Sequence, residues 1–276
     1  MRIDSHQHFW DLKKLSYPWM PPPPNVLARN YLPADLKPIL DANRFDGCVV
    51  VQAAQVDAEA EWLLALADDY PFIKGVVAWV DLKDPKVGAR LDVLQKHKRF
   101  KGVRNILHDE PDVNWALQPD VIRGLKELEQ RGIPYDVLVK PPHLHIVEPL
   151  AEKLPKLKMV IDHIAKPYIK DKKMEPWAQQ MESIAKKTPA YVKLSGMITE
   201  ADPQRWKAPD LAPYVHHVYQ AFGPERCMFG SDWPVCQLAG SWKQVLAALT
   251  QSLGPLKQDV REQVLGGTAV KFYGLS

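Results

Sequence analysis

The chain has little cysteine and no pairing pattern for the cysteine it has. Cys48, Cys227 and Cys236 are an odd set of three without a Cys-x-x-Cys spacing. That argues against a disulfide framework or an all-thiolate zinc site and favours a reducing, cytoplasmic setting. No stretch approaches the run of about 20 apolar residues that a membrane-spanning helix needs. The opening residues, Met1-Arg2-Ile3-Asp4-Ser5-His6, turn polar too soon for the apolar segment of a signal peptide. One-sided charge is missing too. The 36 basic and 33 acidic side chains nearly cancel, and acids lie among or near most of the short basic clusters, so no nucleic-acid partner is indicated. No glycine-rich phosphate loop follows the first β-like run, which removes the usual nucleotide fingerprint. Internal repeats are absent, and Pro21–Pro24 is the only low-complexity patch. Four prolines make a stiff, extended segment, so it belongs to a loop.

What is present reads as a globular protein. With 46% hydrophobic and 25% charged residues over 276 positions, the chain is not disordered. Its length suits two modest domains or one large barrel. Short β-rich runs recur at Ile3–His8, Gly47–Val51, Gly75–Val80, Gly102–Ile106, Tyr135–Val139, Met159–Asp162, Tyr191–Leu194 and Cys227–Phe229. Several are nearly continuous apolar blocks, the mark of strands covered on both faces in a parallel sheet. Helical stripes lie between them, at Ala58–Tyr70, Asp120–Arg131, Leu144–Leu154, Trp177–Lys187, Leu211–Phe222 and Trp242–Leu253, with a terminal helix over Lys257–Leu265. Gly132 is placed to cap the second of these. Eight strand–helix units over residues 1–276 point to a single (β/α)₈ TIM barrel. An open doubly wound sheet is the alternative, because periodicity alone does not show closure.

Four residues at strand ends carry chemistry. His6 and His8 are two apart on the first strand, so their imidazoles share a face and can bind one metal ion. Alternatively, they are two hydrogen-bonded histidines in a surface turn. Asp162-His163 closes the sixth strand and Asp232 the eighth, where capping or an Asx-turn is the plainer explanation. Together, three imidazoles and one carboxylate at the same rim of a barrel suit Zn²⁺ or a similar divalent ion. Strand alternation turns His163 inward and leaves Asp162 a structural role.

These segments resemble a known family. Arg2-Ile3-Asp4-Ser5-His6-Gln7-His8-Phe9-Trp10, Tyr17-Pro18-Trp19, Lys101-Gly102-Val103-Arg104, Asp162-His163-Ile164-Ala165-Lys166-Pro167, Lys193-Leu194-Ser195-Gly196 and Phe229-Gly230-Ser231-Asp232-Trp233-Pro234 look like the amidohydrolase superfamily. The likeness is to its branch of sugar-acid lactonases, such as those acting on L-fucono- and L-rhamnono-lactones. The resemblance implies a distorted (β/α)₈ barrel that opens a small lactone. It puts His6, His8 and His163 on the metal-ligand positions and Asp232 on the catalytic aspartate. Many relatives carry a metal-bridging lysine or glutamate on an earlier strand. Here Arg104 stands at the end of strand four and cannot bridge metals, so at most one divalent ion, zinc by preference, is expected. In a metal-free alternative the histidines and Arg104 hold the carbonyl.

Under this reading Asp232 moves a proton between water and the leaving alkoxide, and Arg104 steadies the oxyanion or a carboxylate. His143, after two prolines, is a substrate-loop candidate. Trp10, Trp19 and Trp233 offer faces for a sugar ring, although packing in the barrel is the commoner use of such residues. His216-His217 reads as helix surface. Metal occupancy is expected to fall as the pH drops through the ~6.5 of an ordinary imidazole. Two rival functions remain at this point: a non-oxidative decarboxylase on the same barrel, and a catalytically silent barrel that only binds a small ligand. The substrate is a small molecule in either enzyme reading, and the oligomeric state is open.

Overall fold

A computed structural model describes residues 1–276. The apolar runs form eight parallel strands: β1 Ile3–Gln7, β2 Gly47–Val51, β3 Ile73–Ala78, β4 Phe100–Ile106, β5 Tyr135–Leu138, β6 Met159–Ile161, β7 Tyr191–Leu194 and β8 Cys227–Phe229. They lie in sequence order, each hydrogen-bonded to the next. Just past the end of β8, Gln7 pairs with Trp233, His8 N donates to Trp233 O at 2.7 Å and Asp232 N to His6 O at 2.8 Å. The sheet is thus a nearly closed TIM barrel, and the open sheet is excluded. The distortion sits at this seam. The three-residue β8 meets β1 through the segment that follows it, at the end where barrel active sites gather.

Alternation along the strands divides the core. Cys48 and Val50 pack into the large cluster that includes the surrounding helices. Val49 and Val51 join Ile3, Val77, Val160 and Met228 in a second cluster. Phe272 and Tyr273 from the terminal helix belong to this second cluster, so the chain's end is packed against the strands.

The helices are α1 Pro33–Ala42, α2 Asp57–Asp69, α3 Val87–Leu94, α4 Pro119–Arg131, α5 Val147–Lys153, α6 Trp177–Lys187, α7 Met197–Glu200, α8 Ala208–Phe222, α9 Trp242–Leu253, α10 Gln258–Glu262 and α11 Thr268–Tyr273. Gly132 caps α4 in the left-handed region at φ 66°, where glycine carries no Cβ penalty. Sequence periodicity missed α1, α3 and the short α7 and α11. It also merged a 3₁₀ turn, Pro141–Ile146, with α5, because the two prolines remove amide donors. No helix is long and apolar enough to cross a membrane.

Candidate active site

β1 is buried throughout, with Asp4, Ser5, His6 and Gln7 among its five residues. Such a polar strand survives inside a protein only if its groups find partners. Asp4 accepts from Ser231 N at 2.8 Å, Ser231 Oγ at 2.6 Å and Trp242 Nε1 at 2.7 Å. This ties β1 to the segment after β8 and fixes His6, His8 and Asp232 relative to one another.

His8 Nδ1 lies 2.7 Å from Val51 O. A carbonyl only accepts, so Nδ1 carries the hydrogen, and in the neutral ring Nε2 keeps a bare lone pair. That atom faces His6 Nε2 at 3.2 Å and Asp232 Oδ1 at 3.4 Å. His6 Nε2 and His163 Nε2 each stand 3.9 Å from the same oxygen. Lone pairs converging at this range call for a positive charge among them. The spacing suits metal–ligand bonds of about 2.1 Å, whose donor atoms sit roughly 3.4 Å apart in a tetrahedron. The set His6, His8 and Asp232 fits a divalent ion, with His163 beside it. Arg104 Nη1, 3.3 Å from His6 Nε2, fills the neighbouring space with a cation, which disfavours a second ion there.

Charge is organised around this cluster. Burial would raise the Asp232 carboxyl, but His163, His8 and His6 outweigh it and hold it well below the ordinary carboxylate range. Burial pushes the His163 imidazole down to about 4 and His6 well below its usual value, which keeps both neutral and able to ligate.

Asp162 faces inward as well as His163, which strand alternation does not foresee. β6 ends at Ile161, and His163, Ile164, Ala165 and Lys166 then take φ of 55°, 46°, 61° and 50°. Such a left-handed turn of four residues costs ~1–2 kcal/mol per residue. It breaks the period-two rule and lets both Asp162 and His163 point inward. Asp162 Oδ1 lies 3.3 Å from His6 Nδ1, and its Oδ2 accepts from Arg104 Nη1 at 3.2 Å. His163 Nδ1 sits 2.9 Å from Ser195 Oγ. Gly196, at φ 67°, clears room for the ring, since a Cβ there would come within 2.7 Å of His163 Cγ.

Two further residues escaped the sequence reading. Lys193, wholly buried on β7, sets its ammonium 2.5 Å from Asp136 Oδ2, 3.0 Å from Asp162 Oδ1 and 3.1 Å from His6 Nδ1. Asp136 on β5 also accepts from Tyr273 OH at 2.9 Å. Each is a charged residue inside an otherwise apolar strand, and Lys193 also opens one of the segments that resemble the family.

A cavity of about 300 Å³ opens over the cluster. His8, Arg104, His163 and Asp232 line it. Barrel order sets the loops after β8 and β1 opposite β4–β6. The first group brings Trp19, Pro21, Leu27, Val235 and Leu238, mostly apolar; the second brings His108, Asp109 and Lys166 together with the apolar Ile106 and Leu138. Trp19 is partly exposed and anchored by Nε1 to Ala53 O at 2.7 Å. Trp10 and Trp233 are core residues instead of cavity walls: both are buried, and both pack edge-on against Tyr31. His143 is also buried away from the cavity, in the 3₁₀ turn after β5. His217 Nε2 donates to Ala178 O, 2.7 Å away on a neighbouring helix.

Comparison with known proteins agrees with this arrangement. The family model described as amidohydrolase matches residues 3–275. A protein of Burkholderia ambifaria named L-fucono-1,5-lactonase is 36% identical over 282 residues, covering 99% of this chain and 95% of that one. The crystal structure of an amidohydrolase from Burkholderia multivorans with bound zinc superposes with a TM-score of 0.93 at 36% identity, over the full length of both chains. A match that runs from the first strand to the terminal helix shows that the chain belongs to the amidohydrolase family.

Proposed function

We propose that this protein hydrolyses a sugar-acid lactone, an aldonolactone of the L-fucono- or L-rhamnono- kind, and so acts as a carboxylic-ester hydrolase. The observation that carries the reading is the identity of more than a third, over nearly the whole chain, to an L-fucono-1,5-lactonase. The cavity supports it, because it offers a proton acceptor, cationic donors and an apolar wall to a small polyol. His6, His8, His163 and Asp232 would hold one divalent ion, and the zinc in the related crystal structure favours that metal. Zinc so held supplies positive charge that polarises the ester carbonyl and makes a water proton easier to remove.

The chain's own groups do the rest. The shortest contact from each of the three imidazoles to Asp232 goes to Oδ1, which favours Oδ2 as the atom that takes a proton. Kept ionised, Asp232 takes a proton from water as the oxygen adds to the carbonyl carbon. It returns that proton to the ring oxygen as the carbon–oxygen bond of the ring breaks. Arg104 bears permanent charge at the cavity floor, and that charge favours the oxyanion that develops on the carbonyl. The product is a hydroxy acid. Three free, buried cysteines support a cytoplasmic setting.

The test is a panel of aldonolactones and aromatic carboxylates, run on zinc-loaded and chelated protein. Ring opening that disappears with chelation and returns with zinc is expected. Carbon dioxide release from an aromatic acid would favour the decarboxylase reading, and turnover of nothing would favour a binding protein. Full lactonase activity in protein proven free of metal would leave the histidine–arginine mechanism.

A further inference from the structure

Of the cations that line the cavity, Arg104 is largely committed. Its Nη1 serves Asp162 and His6, and its Nη2 serves Gln52. Lys166 is different. Its ammonium has one hydrogen-bond partner in the protein, Glu200 Oε1 at 2.5 Å, and an ammonium carries three donors. Two remain for a ligand.

The backbone explains why this lysine faces the cavity. Lys166 N donates to His163 O at 2.8 Å, closing a three-residue turn in which side chains at i and i+3 lie on one side. His163 and Lys166 therefore both line the cavity. Trp177 Nε1 pins the middle of the turn through Ile164 O at 2.8 Å. Strain of this kind is kept where the surroundings enforce it and concentrates at functional sites. Glu200, on α7, holds the ammonium from the far side with both side chains mostly buried.

We propose that Lys166 is a substrate-binding residue, whose ammonium, steadied by Glu200, donates hydrogen bonds to the hydroxyl oxygens of the lactone and sets the ring against Asp232. This rests on the lactonase reading and assigns the side of the cavity that carries His108, Asp109 and Lys166 to the hydroxyl-bearing edge of the substrate. Binding that is equal in ground and transition states changes KM more than kcat.

Steady-state kinetics of wild type, Lys166→Met and Lys166→Arg on L-fucono-1,5-lactone and on δ-valerolactone, which has no hydroxyls, test it. Lys166→Met should raise KM for the hydroxylated lactone by roughly tenfold to a hundredfold, the worth of hydrogen bonds to a charged group. Its kcat should move less, and Lys166→Arg should recover part of the loss. The kcat/KM for δ-valerolactone should fall much less than that for the hydroxylated lactone. Glu200→Gln, which keeps the lysine, should cost less than Lys166→Met. An unchanged KM in Lys166→Met would overturn the proposal. So would equal losses on both lactones, or a Glu200→Gln loss matching that of Lys166→Met, since either marks a purely structural ion pair. A wild-type protein that opens neither lactone would instead remove the lactonase reading on which this one stands.

Discussion

His8 Nε2 and Asp232 Oδ1 stand 3.4 Å apart, and the bond from His8 Nδ1 to Val51 O leaves both atoms with lone pairs facing each other. Asp232 is thus both a neighbour of the imidazoles and the carboxylate that can move a proton. Asp232→Asn keeps the shape, removes the charge and cannot accept the proton. We expect kcat to fall at least ~10²-fold, the lower end for a general base, with reduced zinc retention and a preserved circular dichroism spectrum. Turnover above about a tenth of wild type would take Asp232 out of that role.

Arg104→Lys is not conservative here. The guanidinium is only 3% exposed and reaches Asp162, Gln52 and His6 through two nitrogens. A lysine lacks the planar fork needed for these partners. The buried contacts predict a fall in Tm of several degrees together with a large loss in kcat/KM. Calorimetry beside kinetics checks both, and a matched Tm with full activity would contradict the assignment.

Lys193→Met should be the most destabilising single change in the barrel interior. Removing one partner from a buried ion pair costs ~3–5 kcal/mol because the remaining charge is left uncompensated. Here both Asp136 and Asp162 lose their ammonium. Chemical denaturation of Lys193→Met and of Lys193→Met with Asp136→Asn measures this, with part of the loss expected to return in the double variant.

Metal retention should survive to lower pH than an ordinary imidazole would allow. Burial holds His163 at about 4 and His6 well below 6.5, so protons compete for these ligands only under more acid conditions. Zinc content after dialysis should fall less between pH 7 and about 5.5 than a site of ordinary imidazoles would allow. In the metal-free protein the signs oppose. As pH falls from 6.5, the unfolded chain takes up protons that His6, His163 and His108 refuse, which lowers stability. Asp4 and Asp136, raised by burial to about 6, bind protons in the folded state that the unfolded chain lacks above 3.8, which raises it. Glu59, raised by burial to about 7, acts in the same sense. Apo Tm should therefore vary little between about pH 4.5 and 6. It should drop below about 4, where Asp162 and Asp232, both lowered, must be protonated. A steep apo transition near pH 6 would contradict this balance.

Composition and local pattern were enough to find eight strands, most helices and the rim residues His6, His8, His163 and Asp232, because buried parallel strands write themselves as apolar runs and strand ends are where a barrel exposes side chains. The tertiary structure alone decided the rest. Whether Asp162 faces inward depended on a left-handed turn that alternation does not foresee. That Lys193 and Asp136 meet beneath His6 required the barrel to bring β1, β5, β6 and β7 together. Trp10 and Trp233 look the same in sequence as Trp19, yet two are packed into the core and one borders the cavity. Periodicity reports which face of an element is apolar, a property of neighbours in the chain. Which polar groups share one buried space is a property of distant segments brought together by closure, and it is written in no local pattern.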